Sequence, residues 1–275
     1  MYQRLWKVRA RRVGLCQLLM GVWPTTIASS LAAQVVPPNP AGVSMGHIHL
    51  NAKSPELQRK FWIDVIGAQP RRLGGIDVLV IPGAVLFFNQ KEPTGPTDGS
   101  VVNHVGVKVR DLPGTVEKAQ AAAVQVVSRN EKQAMLLTSD GLKLELTADP
   151  TMESPVANHH IHFYTTEVEP MRKWYVDVFG AVAGKRAQFE AADLPGVNLS
   201  FTPSKVSVSP TKGRAVDHIG FEVKDLNAFA KALEAKGVKF DVPYRKLDKL
   251  GVAVAFFTDP WGTYIELTEG LTQIP

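Results

Sequence analysis

All seven histidines of this chain fall in four short segments: His47-Ile48-His49, His104-Val105-Gly106, His159-His160-Ile161-His162 and His218-Ile219-Gly220. Successive steps from His47 to His104, His160 and His218 are 57, 56 and 58 residues. A near-constant period of this size means repeated supersecondary units, which restricts the chain to folds built from four copies of one motif. The same polar residue opening each copy predicts that imidazoles are brought together at one or two shared points. Imidazole is the commonest metal ligand in proteins, so a metal site is the first functional expectation.

The copies read alike. The first opens with a strand over Met45 to Asn51. Ser54 then caps a helix with Pro55 at its first position, and Gly67 ends it. Leu57, Phe61, Trp62, Val65 and Ile66 form the apolar face of that helix at helical spacing. Three strands follow, around Gln69 to Leu73, Asp77 to Ile81 and Val85 to Asn89, giving a βαβββ unit. His47, His49, Lys60, Asp64, Gly67 and Ala68 recur as His160, His162, Lys173, Asp177, Gly180 and Ala181, a constant offset of 113. Asn103-His104-Val105-Gly106 recurs as Asp217-His218-Ile219-Gly220, and Asp111-Leu112 as Asp225-Leu226, an offset of 114. The ends match too: Gly141 to Thr147 with Gly262 to Thr268. The chain is a pair of units repeated once, with a linker over Ala148 to Ala157.

Four βαβββ units, with a histidine on the first strand of each and a glutamate on the last strand of alternate units, resemble the vicinal oxygen chelate superfamily. That superfamily includes glyoxalase I, extradiol dioxygenases, fosfomycin-resistance transferases and bleomycin-binding proteins. The segment Phe257-Thr258-Asp259-Pro260-Trp261-Gly262-Thr263-Tyr264-Ile265-Glu266-Leu267 is similar to the closing motif of its units. The resemblance implies an α+β chain of four βαβββ modules forming two open barrel-like domains, residues 44–149 and 158–269. One fold of this kind hosts many chemistries, so the reaction stays open.

Residues i and i+2 of a strand share a face, so His47 and His49 point one way, as do His160 and His162, while His159 is expected on the surface or in a loop. If each half's pair of units curls into an open barrel, the second half gathers His160, His218 and Glu266, with His162 beside them. The first half gathers His47, His104 and Glu145, with His49 beside them. Two histidines and a carboxylate leave positions open on a divalent cation for a substrate with neighbouring oxygens. Nitrogen and oxygen ligands suit Fe2+, Mn2+, Zn2+ and Ni2+ alike. The alternative is a polar barrel interior that binds a ligand without metal, as in the bleomycin-binding members.

Departures from the characterised classes matter as well. Glyoxalase I resemblance implies a second acidic ligand on Val85 to Asn89 and Val197 to Phe201, where no carboxylate stands. Extradiol resemblance implies a tyrosine before the Asp-Pro and a histidine upstream of it. Phe256 stands near the first position, and no histidine lies between His218 and Glu266. His162 and Tyr264 are the candidates for moving protons in their place, with Tyr244 a further one. The transferase resemblance implies a basic anion pocket, for which Lys185, Arg186, Arg214 and Arg245 are available.

The first 33 residues read as a secretory signal. Arg4, Lys7, Arg9, Arg11 and Arg12 precede an apolar run from Val13 to Trp23, and Ser30-Leu31-Ala32-Ala33 offers small residues for cleavage. The apolar run is too short to span a bilayer. Export by either the general or the twin-arginine route fits, to the periplasm or outside the cell. The whole chain carries +5, and those 33 residues hold five basic side chains and no acidic one, so the remainder is neutral. No basic patch then argues for nucleic acid. Cys16, the one cysteine, also leaves with the signal, excluding thiol catalysis by the mature protein. Residues 34–43, with Pro37, Pro38 and Pro40, form a linker.

The expected protein is an exported metal-dependent enzyme acting on a small molecule that chelates the metal through vicinal oxygens. Dioxygenase chemistry stands ahead of lyase or isomerase chemistry on the two-domain length. The alternative is a non-enzymatic protein that sequesters a small molecule in the same barrels. A homodimer is compatible with either, and no membrane insertion is expected after processing.

Overall fold

The computed structural model describes residues 35–273. The signal expected over 1–33 lies outside the described residues. Within them each unit has the predicted order. The first comprises β1 (Val43–Ala52), α1 (Pro55–Phe61), β2 (Gln69–Leu73), β3 (Ile76–Ile81) and β4 (Ala84–Gln90). The second comprises β5 (Val102–Val109), α2 (Leu112–Ala121), β6 (Gln125–Arg129), β7 (Gln133–Leu137) and β8 (Lys143–Ala148). The third comprises β9 (Val156–Thr165), α3 (Val168–Phe179), β10 (Val182–Arg186), β11 (Phe189–Leu194) and β12 (Val197–Pro203). The fourth comprises β13 (Val216–Val223), α4 (Leu226–Ala235), β14 (Phe240–Leu247), β15 (Val252–Thr258) and β16 (Tyr264–Glu269).

Local chemistry explains these boundaries. The side chains of Ser54, Asp111 and Asp225 accept from the backbone N–H groups of Leu57, Gly114 and Ala228, satisfying donors that a helix start leaves free. Gly67 and Gly180 end their helices in the left-handed conformation that glycine adopts without cost. The repeated Lys60–Asp64 and Lys173–Asp177 are i,i+4 ion pairs on exposed helix faces. Two expectations for α1 change. Its last turn, Trp62–Ile66, winds as a π-helix, and Leu57 is 68% exposed while Phe61, Trp62, Val65 and Ile66 are buried.

The units do not pair in the expected order. One eight-stranded open sheet runs β14-β15-β16-β13-β1-β4-β3-β2, joining the first unit to the fourth. The other runs β10-β11-β12-β9-β5-β8-β7-β6, joining the second to the third. Each joint is antiparallel, β1 on β13 and β5 on β9. The first unit therefore shares no sheet with the second, nor the third with the fourth, and the division at residues 149/158 separates units, not sheets. The physical reason is that the edge left by a βαβββ unit is its first strand, and any other first strand of compatible pattern can cap it.

Both joints contain the same irregularities. Gly46 and Asp217 are extra residues in the β1–β13 ladder, and Asn103 and His159 are extra in the β5–β9 ladder. Such bulges reverse the in/out alternation and re-aim side chains. Beyond Gly46, Ile48 and Leu50 face the main core while His47 and His49 face the opposite side of the sheet; beyond His159, Ile161 and Phe163 face the core and His160 and His162 the other side. His159 is thus a half-buried bulge residue of a strand, not a loop residue. The main core runs through both sheets and all four helices, with Trp62, Tyr175, Phe163, Phe179 and Phe221 fully buried. The closing motif is structural in part: Asp259 accepts from Trp261 N and Thr263 N, and the Tyr175 hydroxyl from the third unit donates to it.

Candidate metal centres

The sheet joints decide which histidines meet. His47 and His49 of β1, His218 of β13 and Glu266 of β16 offer ligand atoms within 4.8 Å of one another. His104 of β5 with His160 and His162 of β9 form a second such group. The groupings expected from pairing the first unit with the second and the third with the fourth are corrected by this arrangement. His160 does not meet His218 and Glu266, and His47 does not meet His104 and Glu145, because their strands belong to different sheets. For the same reason His162 and Tyr264 cannot serve one centre: His162 belongs to the second, whereas the Tyr264 ring lies 5.7 Å from that of His218 in the first.

In the first centre, His47 Nε2 and His218 Nε2 each lie 2.9 Å from the same oxygen, Glu266 Oε2. His218 Nδ1 donates to Asp217 Oδ2 at 2.7 Å, an approach that the bulge at Asp217 permits. Asp217 is itself held by Asn51 Nδ2 and the backbone N–H of Gly213. His49 Nε2 lies 2.9 Å from Asn89 Oδ1, and its buried Nδ1 has no partner. Burial pushes the His218 imidazole down, but the bonds and charges of Asp217 and Glu266 outweigh it and raise it. Burial raises the Glu266 carboxyl, but the charge of His47 and the bonds from His218 and His47 hold it far below the usual carboxylate range. Two buried carboxylates thus demand a positive charge here, and three imidazoles surround the spot where a small cation would supply it. His49 is held neutral, its value lowered to about 3 by burial and then by His218 and His47. A neutral imidazole with a free ring nitrogen is a ligand by chemistry and a poor general base.

The walls of this centre are apolar. Phe87 stacks on His49 with ring centroids 5.4 Å apart, and Phe256 meets His218 edge-on at 5.5 Å. Leu73, Val78, Val80, Val85 and Val254 continue this surface as a second buried cluster beside Phe87 and Phe256.

The second centre has the same plan with different fillings. His104 Nδ1 lies 2.9 Å from Asn103 Oδ1, where the first centre has Asp217. His162 Nε2 lies 2.7 Å from Thr202 Oγ1, in the place of Asn89. Buried His104 Nε2, His160 Nε2 and His162 Nδ1 have no hydrogen-bond partner. Glu145 stands off: its Oε2 is 3.4 Å from His104 Nε2, its Oε1 3.8 Å from His160 Nε2, and Oε1 also accepts from Gln133 and Thr147. Arg186 reaches in, its Nη1 3.8 Å from Glu145 and its Nε donating to Ser200 Oγ at 2.8 Å. Burial, then the neighbouring His104 and Arg186, lower His162 to about 3. The residues expected to bind metal thus fall in two clusters, grouped otherwise than expected: His47, His218 and Glu266 with His49 in the first, His104 and His160 with His162 in the second, and Glu145 standing off from the latter. Sequence reasoning missed Asp217, Asn89, Thr202 and Gln133. The recurring Asn103-His104 and Asp217-His218 dipeptides were the available signal for the first of these.

Residues 157–267 match the profile of the Glyoxalase/Bleomycin resistance protein/Dioxygenase superfamily. Glyoxalase I from Zea mays has a similar fold, with a TM-score of 0.64 and 16% identity, over 84% of this chain and 94% of that one. A "putative dioxygenase" from Bacillus subtilis aligns with a TM-score of 0.58 and 16% identity, over 82% of this chain and 85% of that one. No curated protein matches by sequence.

Proposed function

We propose that this chain, a member of the glyoxalase/bleomycin resistance protein/dioxygenase superfamily, is an exported metal-dependent enzyme with its principal centre at His47, His49, His218 and Glu266. The observation that carries this reading is the convergence of three imidazoles on a carboxylate, with a second carboxylate, Asp217, behind His218. A divalent cation bound there supplies Lewis acidity toward two neighbouring oxygens of a small substrate.

The chain's own residues have separable tasks in this reading. Asp217 orients His218 and strengthens it as a ligand, as partners behind metal-bound histidines do. Asn89 holds His49 by Nε2 and leaves its buried Nδ1 as the ring nitrogen available for a ligand bond. Phe87, Phe256 and Val254 exclude water and accept the apolar body of the substrate. Tyr264, stacked on Phe256, close to Lys212 and with its ring 5.7 Å from that of His218, is the hydroxyl available to donate a hydrogen bond or proton beside the centre. The apolar wall favours an aromatic or alkyl substrate bearing vicinal oxygens. Dioxygenase chemistry stays ahead of isomerase or lyase chemistry, because neither β4 nor β12 adds an acidic ligand to a centre.

The test is metal analysis of the purified protein, followed by oxygen uptake with catechols and turnover of the methylglyoxal–glutathione hemithioacetal. Metal with oxygen uptake supports the reading. Metal with hemithioacetal turnover keeps the enzyme and replaces the reaction. Tight binding of such compounds with no turnover leaves the sequestering alternative.

A further inference from the structure

The two centres are related by the internal repeat, so each lining position of one has a counterpart in the other. The constant offset of 113 pairs Leu73 with Arg186, Val85 with Asn198 and Phe87 with Ser200. The strand registers agree: His47 faces Val85 and His49 faces Phe87, as His160 faces Asn198 and His162 faces Ser200. On the other flank, Glu266 faces Phe256 and Glu145 faces Met135, while Thr268 faces Val254 and Thr147 faces Gln133. The apolar wall of the first centre is therefore rebuilt on the β10–β12 side of the second with Arg186, Asn198 and Ser200, while Met135 and Phe189, which packs 4.7 Å from His162, keep it apolar elsewhere.

The charge changes with the wall. The first centre holds Glu266 and Asp217. The second keeps one carboxylate, Glu145, puts Asn103 in place of Asp217 and adds the guanidinium of Arg186. Counting carboxylates and the guanidinium, with every imidazole neutral as a metal ligand must be, the second centre is more positive by two elementary charges. Lys143 stands where the first centre has Tyr264, its charge paired with Asp98 at 3.1 Å. Among the described residues the guanidinium of Arg186 makes one hydrogen bond, from Nε to Ser200 Oγ, which is fixed in turn by Asn198 Oδ1. Its Nη atoms make no hydrogen bond among the described residues, Nη1 standing 3.8 Å from Glu145 Oε1, and they offer the paired donors that suit a ligand carboxylate. Beside them lie the unpartnered, buried Nε2 atoms of His104 and His160.

We infer that the second centre takes an anionic ligand, a small carboxylate with a neighbouring oxygen such as a 2-hydroxycarboxylate, held by Arg186 beside the three histidines. The inference rests on the metal reading, extended to His104, His160 and His162. A divalent cation there is balanced by no spare protein carboxylate, so the ligand must bring the negative charge. The two centres thus accept different substrate or effector classes: an apolar body in the first, an acid in the second.

Calorimetric titration of the metal-loaded full-length protein with glycolate and with its neutral analogue glycolamide tests this. The proteins are the wild type, Arg186→Leu, which installs the residue of the first centre, Arg186→Lys, and each in a His218→Ala background to silence the first centre. Metal content is measured on every sample. Glycolate is expected to bind at least tenfold more tightly than glycolamide. Arg186→Leu should erase that preference with metal content unchanged, and Arg186→Lys should keep part of it. Equal binding of the two probes, no binding of glycolate to metal-loaded protein, or indifference to Arg186→Leu overturns the inference. A His218→Ala protein that carries no metal overturns the metal reading of the second centre itself, and the metal measurement tells that failure from the others.

Discussion

The imidazole of His47 lies over the backbone of Gly220, so close that a Cβ at Gly220 would stand 2.0 Å from His47 Cε1. The second sheet repeats this with His160 over Gly106, again at 2.0 Å. The two residues face each other in antiparallel register, His47 with Gly220 and Gly106 with His160. Glycine two residues after His218 and His104 is therefore the cradle for a histidine from another unit. It makes each centre a property of the joint between units, not of either unit alone.

Gly220→Ala should therefore act on the first centre. The added methyl must displace His47 or part β1 from β13, a small-to-large change of the kind that costs about 1–3 kcal/mol. Thermal unfolding should fall accordingly, and metal bound at the first centre should drop while the second centre keeps its own. Unchanged stability and metal content would show that the His47 ring does not occupy this place.

Asp217→Asn leaves the shape of the first centre and removes the charge behind His218. The second centre carries asparagine at the matching position, so the fold accepts it. Metal affinity of the first centre should weaken about 10- to 100-fold, the usual effect of losing such a partner. Competition against a chelator of known affinity measures this, and an unaltered affinity contradicts the role given to Asp217.

Most of the fold was legible in the sequence because its signals are local. The caps Ser54, Asp111 and Asp225, the glycines Gly67 and Gly180 and the histidine period each report on neighbouring residues. Which unit caps which was not legible, because β1, β5, β9 and β13 carry near-identical patterns and their pairing is fixed by contacts between units. The place of Asp217 was hidden too. Alternation along a strand aims it away from His218, and only the bulge brings the two together. The cradle itself was written in His104-Val105-Gly106 and His218-Ile219-Gly220, where glycine in a buried strand marks a close approach.

Glu222 supplies a pH dependence independent of metal. Its carboxyl is buried and pushed up to about 7, mainly by burial, against the backbone N–H groups of Gly270 and Leu271 that donate to it. Between its ordinary value of 4.5 and about 7 the folded protein binds more protons than the unfolded chain, so this group's contribution to stability falls as pH rises through that window. Glu222→Gln keeps an acceptor for both N–H groups and abolishes the titration. The variant should match the wild type near pH 4.5 and be more stable near pH 8, by up to about 3 kcal/mol for a shift of this size. Thermal melts across that range check it, and parallel pH profiles would contradict it.

Export predicts that residues up to about Ala32 or Ala33 are removed. N-terminal sequencing of the protein from the periplasm or medium should read from just beyond them. A cytoplasmic product that still begins at Met1 would refute export.

The pairing of the first unit with the fourth is tested most directly by metal stoichiometry in four variants: His47→Ala, His218→Ala, His160→Ala and the double change His47→Ala/His218→Ala. The first centre's metal should be lost in His47→Ala and in His218→Ala, with no further loss when the two are combined. His160→Ala should leave it in place and deplete only the second centre. If His160→Ala and His218→Ala instead remove the same equivalent of metal, with His47→Ala removing a different one, the first unit pairs with the second and the third with the fourth, and the arrangement of the two sheets is contradicted.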